Sequence, residues 1–221
     1  MSRDQLLGLL VPALLVAAVP ARAQTGGLEL TVFAGPNYSW LAGSGVKDAV
    51  GRVGLSLGLR LHQPIGGNWS VDPEIGFAYK GANSSGQNAA IPGAVVNARL
   101  WYMQFPIPMR FTVASAGKFR PRLWLGPYIA IRAGCTAELE AEGILTSQSC
   151  SDLHPLTDST QTFDPFKSWD GGFVAGVGWS IPILKVRFDF DLRYEHGLLN
   201  ISRLSGAAYN RSVLFGVGVP F

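Results

Sequence analysis

A glutamate, a histidine and a serine stand close together near the end of this chain, at Glu195, His196 and Ser202. These are the residue types of a hydrolase with a serine nucleophile, a histidine base and a carboxylate that orients the histidine. Glu195 and His196 are adjacent on a predicted strand, and adjacent strand residues point to opposite faces. We therefore expect Glu195 to join an interior ion pair and His196 to be an exposed loop residue. The prediction is that the chain has no catalytic residues and is not an enzyme.

Candidate metal ligands lie near His154 in the sequence. Asp152, Asp158 and Asp164 lie near this histidine, and carboxylates of this kind bind calcium, but their spacing does not match an EF-hand loop. The sequence contains no zinc-ligand pattern and no phosphate-binding loop. We predict a solvated acidic loop, with neither a metal nor a cofactor. His62 is expected to make hydrogen bonds inside the fold.

Cys135 and Cys150 are the two cysteines of the chain. Disulfides form and persist in exported proteins, which makes a bond between these two plausible. If this disulfide forms, it is predicted to close a short loop and to hold it in a restricted conformation. Apolar residues near this loop are expected to cap the fold or to contact a partner: Leu153, Leu156, Phe163, Phe166 and Trp169.

The beginning of the chain has the pattern of a secretory signal peptide. Arg3 precedes a short apolar stretch from Leu6 to Val19, and Ala21-Arg22-Ala23 offers a small-x-small cleavage site. The apolar stretch is shorter than the roughly 20 residues that a membrane-spanning helix needs. We predict a cleaved signal peptide over residues 1–23 and one domain over residues 24–221.

The stretch from Val186 to Glu195 alternates without a miss between apolar or aromatic residues and charges. A strand with this pattern has one lipophilic face and one ionic face. Seven further segments show the same period of two, at about 28–38, 52–63, 69–80, 99–113, 122–133, 172–183 and 211–221. In the fourth segment of the chain, Pro106 and Pro108 remove two hydrogen-bond donors, which predicts a bulge or a broken ladder.

The connections between the eight segments alternate in length. Long polar connections (39–51, 81–98, 134–171 and 197–210) alternate with short ones (64–68, 114–121 and 184–185). Long loops outside and short turns in the periplasm are typical of outer-membrane barrels. Aromatic residues are expected near the two membrane boundaries: Tyr79, Trp101, Phe173 and Tyr194 outside, and Trp69, Phe111 and Phe221 inside. The predicted fold class is all-β, an eight-stranded antiparallel up-and-down transmembrane β-barrel.

The charged faces of the eight segments must turn toward the interior of such a barrel. Both signs are present, so we expect mutual pairing, because unpaired buried charges are costly. The inward charges are predicted to be Glu29, Arg52, Arg60, Asp72, Glu74, Arg110, Arg122, Arg132, Arg187, Asp189, Asp191, Arg193 and Glu195. Room for the long arginine side chains is expected at Gly54, Gly58, Gly176, Gly216 and Gly218. The prediction is a plugged barrel and not an open pore.

Three passages resemble the outer-membrane β-barrel (porin-like, PorT-type) family of Gram-negative envelopes. The stretch from Tyr102 to Phe111, YMQFPIPMRF, is similar to the family's fourth-strand pattern Y-L-x-I-P-x-x-x-K-Y. The stretch from Arg193 to Ile201, RYEHGLLNI, is similar to its R-Y-x-x-G-L-x-N-I passage. The last strand resembles the C-terminal signal read by the barrel-assembly machinery, with Phe215, Val217, Val219 and the terminal Phe221. The long cysteine-bearing loop, 134–171, departs from the family pattern.

The resemblance implies the outer membrane of a Gram-negative bacterium as the location, with outer-membrane lipid and the assembly machinery as partners. The 18 basic and 15 acidic residues give a net charge of +3 without any basic cluster, which does not favour a nucleic-acid partner. We expect a monomeric, non-enzymatic barrel that supports the envelope or binds a partner through its loops. An outer-membrane lipid A hydrolase and a narrow channel are the alternatives. A soluble lipocalin-like barrel is opposed by the inward charges.

Overall fold

The computed structural model describes residues 27–46, 49–84, 95–113, 120–141, 144–152, 164–204 and 206–221. Its strands are β1 (Glu29–Ala42), β2 (Ala49–Gly66), β3 (Trp69–Val71), β4 (Glu74–Ser84), β5 (Val95–Pro106), β6 (Met109–Thr112), β7 (Arg120–Ala141), β8 (Ile144–Ser149), β9 (Trp169–Ile183), β10 (Val186–Gly197) and β11 (Tyr209–Pro220). One short 3₁₀ helix, Cys150–Asp152, follows β8. The predicted signal peptide lies outside the described residues.

The strands form one closed antiparallel ring. Its order is β1, β11, β10, β9, β7, β5, β4, β2, and β2 pairs with β1 again. Strand β3 continues the line of β4, and β6 continues the line of β5, so the ring has eight members. Closure leaves no unpaired edge in the ring, which a sheet in hydrocarbon requires. The predicted eight-stranded up-and-down barrel is confirmed.

Two neighbouring members of the ring are interrupted at the same level. Strand β5 ends at Pro106 and β6 begins at Met109, so the predicted broken ladder is present. The break between β3 and β4 falls beside it, at residues 72 and 73. The Asp72 amide donates to the carbonyl of Pro108 at 2.9 Å, and the Leu61 amide donates to that of Pro73 at 2.9 Å. These bonds keep the wall closed where prolines cannot donate.

The two ends of the barrel differ in the length of their connections. The turn end holds residues 67–68 between β2 and β3 and residues 184–185 between β9 and β10. At the loop end, β1 ends at Ala42 and β2 begins at Ala49, β4 ends at Ser84 and β5 begins at Val95, and β10 ends at Gly197 and β11 begins at Tyr209. The prediction that all of 134–171 is a loop is wrong: β7 extends to Ala141 and pairs with β8 in a hairpin. We call β8 and residues 132–141 of β7 the outer hairpin.

The outer surface of the ring is apolar. The outward side chains of β2 illustrate this, because Val53, Leu55, Leu57 and Leu59 are between 38% and 70% exposed. Such a continuous exposed apolar surface is not stable in water and requires an apolar surrounding. Among the described residues there is no helix long and apolar enough to cross a membrane.

Aromatic pairs mark both ends of this apolar surface. Near the loop end, the rings of Tyr79 and Trp101 lie 4.3 Å apart between centroids. Near the turn end, Trp69 and Phe111 lie 4.9 Å apart. The predicted positions of these four residues therefore agree with the structure, and they form the two girdles expected at water–hydrocarbon boundaries.

Candidate functional site

The interior of the barrel is filled by paired charges. At its centre, Glu74 accepts a hydrogen bond from Arg60 Nε at 2.7 Å and two from Arg193, at 2.7 and 2.8 Å. Arg60 also contacts Asp191 at 2.7 Å through its Nη1 atom. Both guanidinium groups flank the ring of Phe33, at 5.3 and 5.5 Å from its centroid. A buried arginine needs this combination of carboxylates and an aromatic face to offset its lost hydration.

A second group of charges adjoins this centre on the side of β7, β9 and β10. Arg122 donates to Ser180 at 2.7 Å and contacts Asp189 at 2.9 Å and Asp191 at 3.1 Å. The Ser180 hydroxyl in turn donates to Asp189 at 2.6 Å. Asp191 therefore lies between Arg60 and Arg122, which links the two groups into one network.

Toward the loop end, one carboxylate gathers three donors. Glu195 Oε2 accepts hydrogen bonds from Lys80 at 2.6 Å, Ser212 at 3.0 Å and Gln104 at 3.2 Å. Lys80 is buried and is absent from the predicted set of inward charges. The signal for it was present, because Lys80 keeps the period of two that starts at Glu74.

Nearer the loop end lies a buried carboxylate, Asp170, that has no cationic partner among the described residues. Asp170 accepts hydrogen bonds from the Tyr128 hydroxyl at 3.2 Å, from Asn210 Nδ2 at 2.8 Å and from the Gly171 amide at 2.7 Å. Three donors of this kind compensate a buried carboxylate without an ion pair. Asp170 was predicted to lie in the exposed loop before residue 172, which is wrong, because β9 begins at Trp169 and the side chain of Asp170 is buried.

At the turn end, Asp72 forms a buried salt bridge with Arg110. It also accepts from Ser70 at 2.9 Å and lies 2.9 Å from His62 Nδ1. His62 thus makes an interior hydrogen bond. Beyond it, Arg187 contacts Glu29, but these side chains are 42% and 29% exposed, so this pair lies at the rim rather than in the closed interior.

Two of the predicted inward arginines lie near the loop end. Arg132 forms a salt bridge with Asp164, outside the central network. Arg52 is half-buried and donates to the carbonyl of Ala98 at 3.4 Å. The direction of both side chains follows from the strand period, but their height along the barrel separates them from the central carboxylates.

The interior glycines were predicted to leave room for arginine side chains, but at two of them other side chains occupy that space. A Cβ atom at Gly176 would lie 2.6 Å from the Trp124 ring, and one at Gly58 would lie 2.8 Å from the Phe33 ring. The aromatic rings, and not arginine side chains, therefore fill the room at these two positions. A cavity bounded in part by Phe33 has a volume of about 10 Å³, space for about one water molecule.

The residues of the candidate hydrolase do not form a catalytic group. Glu195 points inward to Lys80 as predicted. His196 is not the predicted exposed loop residue, because it lies within β10, is half-buried on the outer face and stacks on Phe173 with ring centroids 4.9 Å apart. The hydroxyl of Ser202 contacts the backbone of Leu204. The three side chains therefore have separate local partners.

The structure joins Cys135 and Cys150 by a disulfide with a Cα–Cα distance of 5.3 Å. It connects β7 to the 3₁₀ helix after β8 and so closes the base of the outer hairpin. Phe166 packs against a buried cluster at the loop end that includes Tyr128 and Ile201. Trp169, in contrast, is 56% exposed. The predicted cap residues 153, 156 and 163 lie outside the described residues.

No acidic metal site is present in the part of the chain that the structure describes. Asp164 is paired with Arg132, and Asp152 accepts a hydrogen bond from Ser151 at 3.2 Å. His154 and Asp158 lie outside the described residues.

A strap made of residues 164–168 crosses the loop end. The Arg132 amide donates to the carbonyl of Ser168 at 2.7 Å, and the Lys167 amide donates to that of Ile201 at 2.7 Å. The Arg132 hydrogen bond holds the pKa of the Asp164 carboxyl below its ordinary value. The strap is therefore fastened on both sides by backbone bonds and by one ion pair.

Solved structures of outer-membrane proteins are similar to this chain. OprG of Pseudomonas aeruginosa is 13% identical with a TM-score of 0.48, and the match covers 87% of this chain and 95% of OprG. Ail of Yersinia pestis, solved with the heparin analogue sucrose octasulfate, is 15% identical with a TM-score of 0.42, and the match covers 88% of this chain and 99% of Ail. Outer membrane protein W of E. coli is 14% identical with a TM-score of 0.39, and the match covers 87% of this chain and 97% of that protein. No curated protein matches the chain significantly.

A family model, described as the outer membrane protein beta-barrel domain, matches residues 22–203. This range includes all of the ring except β11, and it includes the outer hairpin. The narrower PorT-type resemblance stays a prediction. The chain belongs to the outer membrane protein β-barrel domain family and is a protein of the Gram-negative outer membrane.

Proposed function

We propose that this protein is a closed, non-enzymatic barrel that is anchored in the outer membrane and binds an envelope or extracellular partner through its loop end. The observation that supports the proposal is the pairing of the charged side chains that fill the lumen. Arg60, Glu74, Asp191 and Arg193 contact one another across the centre of the barrel, where an open pore would need water. With the transport route filled, the surfaces left for function are the loops and the outer wall.

The outer hairpin is the main element of the proposed binding end. Its β7 part runs beyond the pairing with β9 while it stays paired with β5. The disulfide between Cys135 and Cys150 limits the shapes that the hairpin can adopt. A restricted loop loses less conformational entropy when it binds a partner. The proposal places the loop end outside the cell and the turn end in the periplasm, as in other barrels of this kind.

The chain reaches the outer membrane through export followed by assembly of the barrel. Residues 1–23 act as a signal peptide that is removed during export, and the mature domain begins at residue 24. The outward row of β11 and the terminal Phe221 act as the signal for the barrel-assembly machinery. The Phe221 amide donates to the carbonyl of Leu30 at 2.8 Å, so this end of the chain lies against the first strand. The folded barrel acts as a monomer.

Conductance in planar lipid bilayers tests the closed lumen. The refolded protein is expected to show no discrete current steps, because its central charges are paired and its space is filled. Arg193→Ala removes a side chain from the centre and is expected to allow occasional steps. The matched control is Arg187→Ala, which removes an arginine from the exposed rim and is expected to stay silent. Regular steps from the unchanged protein would contradict the proposal.

A further inference from the structure

A row of four side chains crosses the outer wall of the barrel at the loop end. Trp40 of β1 is the register partner of Arg211 of β11, Arg211 is the partner of His196 of β10, and His196 is the partner of Phe173 of β9. All four share the outward face, because their strand neighbours Ser39, Ser212, Glu195 and Val174 are buried inside. We call this row the girdle patch.

Arg211 is held in place within the girdle patch by the backbone. Its Nη1 atom donates to the carbonyls of Gly197 and Asn210, and its guanidinium lies 5.7 Å from the centroid of the Tyr209 ring. Among the described residues, no carboxylate pairs with Arg211, and its hydrogen bonds come from Nη1 and not from Nε or Nη2. A guanidinium that is oriented by three neighbours and keeps donors unused is prepared to bind an anion.

His196 adds a second donor next to this arginine. Its ring stacks on Phe173 with an interplanar angle of 15°, and its Nδ1 atom lies 3.0 Å from the Tyr194 hydroxyl. When that hydroxyl donates to Nδ1, the ring proton is on Nε2, which then serves as a donor. His196 and Arg211 are cross-strand register partners, so the imidazole and the guanidinium are neighbours on the outer wall.

We propose that the girdle patch binds a phosphate group of lipid A in the outer leaflet. The height of the patch fits this ligand, because aromatic girdles lie at the level of the lipid headgroups. A phosphate supplies acceptor oxygens for both the guanidinium and the imidazole, and Trp40 and Phe173 provide flanking apolar surface for the rest of the lipid. The assignment to the outer leaflet rests on the proposed orientation of the barrel.

The test uses the full mature chain refolded into phosphatidylcholine vesicles, with or without bisphosphorylated lipid A. The readout is the temperature at which the folded, heat-modifiable gel band is lost. Lipid A is expected to raise this temperature for the unchanged protein, because a ligand that binds the folded state stabilises it. The rise is expected to be absent with Arg211→Gln and absent when dephosphorylated lipid A is used.

The matched control is Arg99→Gln. Arg99 also lies on the outer face near the loop end, but it already has a carboxylate partner, Glu138, at 2.8 Å. This variant is expected to keep the rise. A rise that persists in Arg211→Gln, or an equal rise with phosphatidylglycerol in place of lipid A, would overturn the proposal. Lipid A lies in both leaflets of these vesicles, so the result does not depend on orientation or conductance and can fail separately from the proposed function.

Discussion

At the scale of residues, we expect the stability of the barrel to be most sensitive to substitution of the charged side chains in its lumen. Glu74 accepts hydrogen bonds from both Arg60 and Arg193, and all three side chains are buried. Glu74→Ala leaves two arginines without their shared carboxylate. We expect the free energy of unfolding to fall by about 3–5 kcal/mol, which is the usual cost of breaking a buried ion pair from one side. Urea unfolding of the barrel in vesicles measures it.

The control for Glu74 is the exposed pair at the rim. Glu29→Ala removes the partner of Arg187, whose side chain is 42% exposed. Water replaces a lost partner there, so the expected change is at most about 1 kcal/mol. Equal losses from the two variants would show that the centre of the lumen is hydrated and that the closed interior described above is wrong.

Asp164 gives the strap a dependence on pH. The pKa of this carboxyl is lowered in the folded state, mainly by the Arg132 hydrogen bond. A lowered pKa contributes stability that is complete above the unfolded value of about 3.9 and is lost as the pH falls through the folded value. The protection factors of the amides at residues 166–168, which compare each exchange rate with that of an unstructured peptide at the same pH, should therefore be high near neutral pH and lower in acid. Asp164→Asn should remove this dependence, and an unchanged acid response in that variant would contradict it.

At the scale of elements, we expect the disulfide to stabilise the outer hairpin without being needed for the ring to close. The disulfide spans 15 residues, and closing a loop of that size contributes about 3 kcal/mol in the chain-entropy model. We expect Cys135→Ser with Cys150→Ser to make residues 142–152 sensitive to protease while the ring stays folded and heat-modifiable. Loss of the heat-modifiable band in this variant would show that the hairpin is needed for the ring.

Element boundaries show where sequence patterning is sufficient and where it is not. The alternation in Val186 to Glu195 predicted β10 almost to its ends, since both faces carry a strong contrast. The alternation around Arg132 predicted that β7 ends near residue 133, but the strand continues to Ala141. Beyond the membrane, both faces of a strand meet water or neighbouring loops, so no polar–apolar contrast marks it. An extra residue at Ala133 also shifts the register there.

For the molecule as a whole, we expect the cost of placing a charge on the lipid-facing wall to depend on the depth of that position in the membrane. Leu57 lies on the outer face of β2, near its middle. Leu57→Arg is expected to destabilise the barrel by about 2–4 kcal/mol, because a charge there must enter hydrocarbon. Leu184→Arg is the control, since Leu184 is 99% exposed at the turn between β9 and β10 and no change is expected. Chemical unfolding in vesicles compares them, and equal effects would place Leu57 outside the hydrocarbon.

The sequence by itself determined the eight ring members, the face that each strand turns outward and the presence of both charges inside, because the period of a strand is a local property. Only the tertiary structure decided which charges meet. Lys80 and Glu195 are 115 residues apart, and Glu74 and Arg193 are 119 apart. Their contact depends on how the ring closes, since closure sets the height of every strand along the barrel axis and the strand opposite it across the lumen.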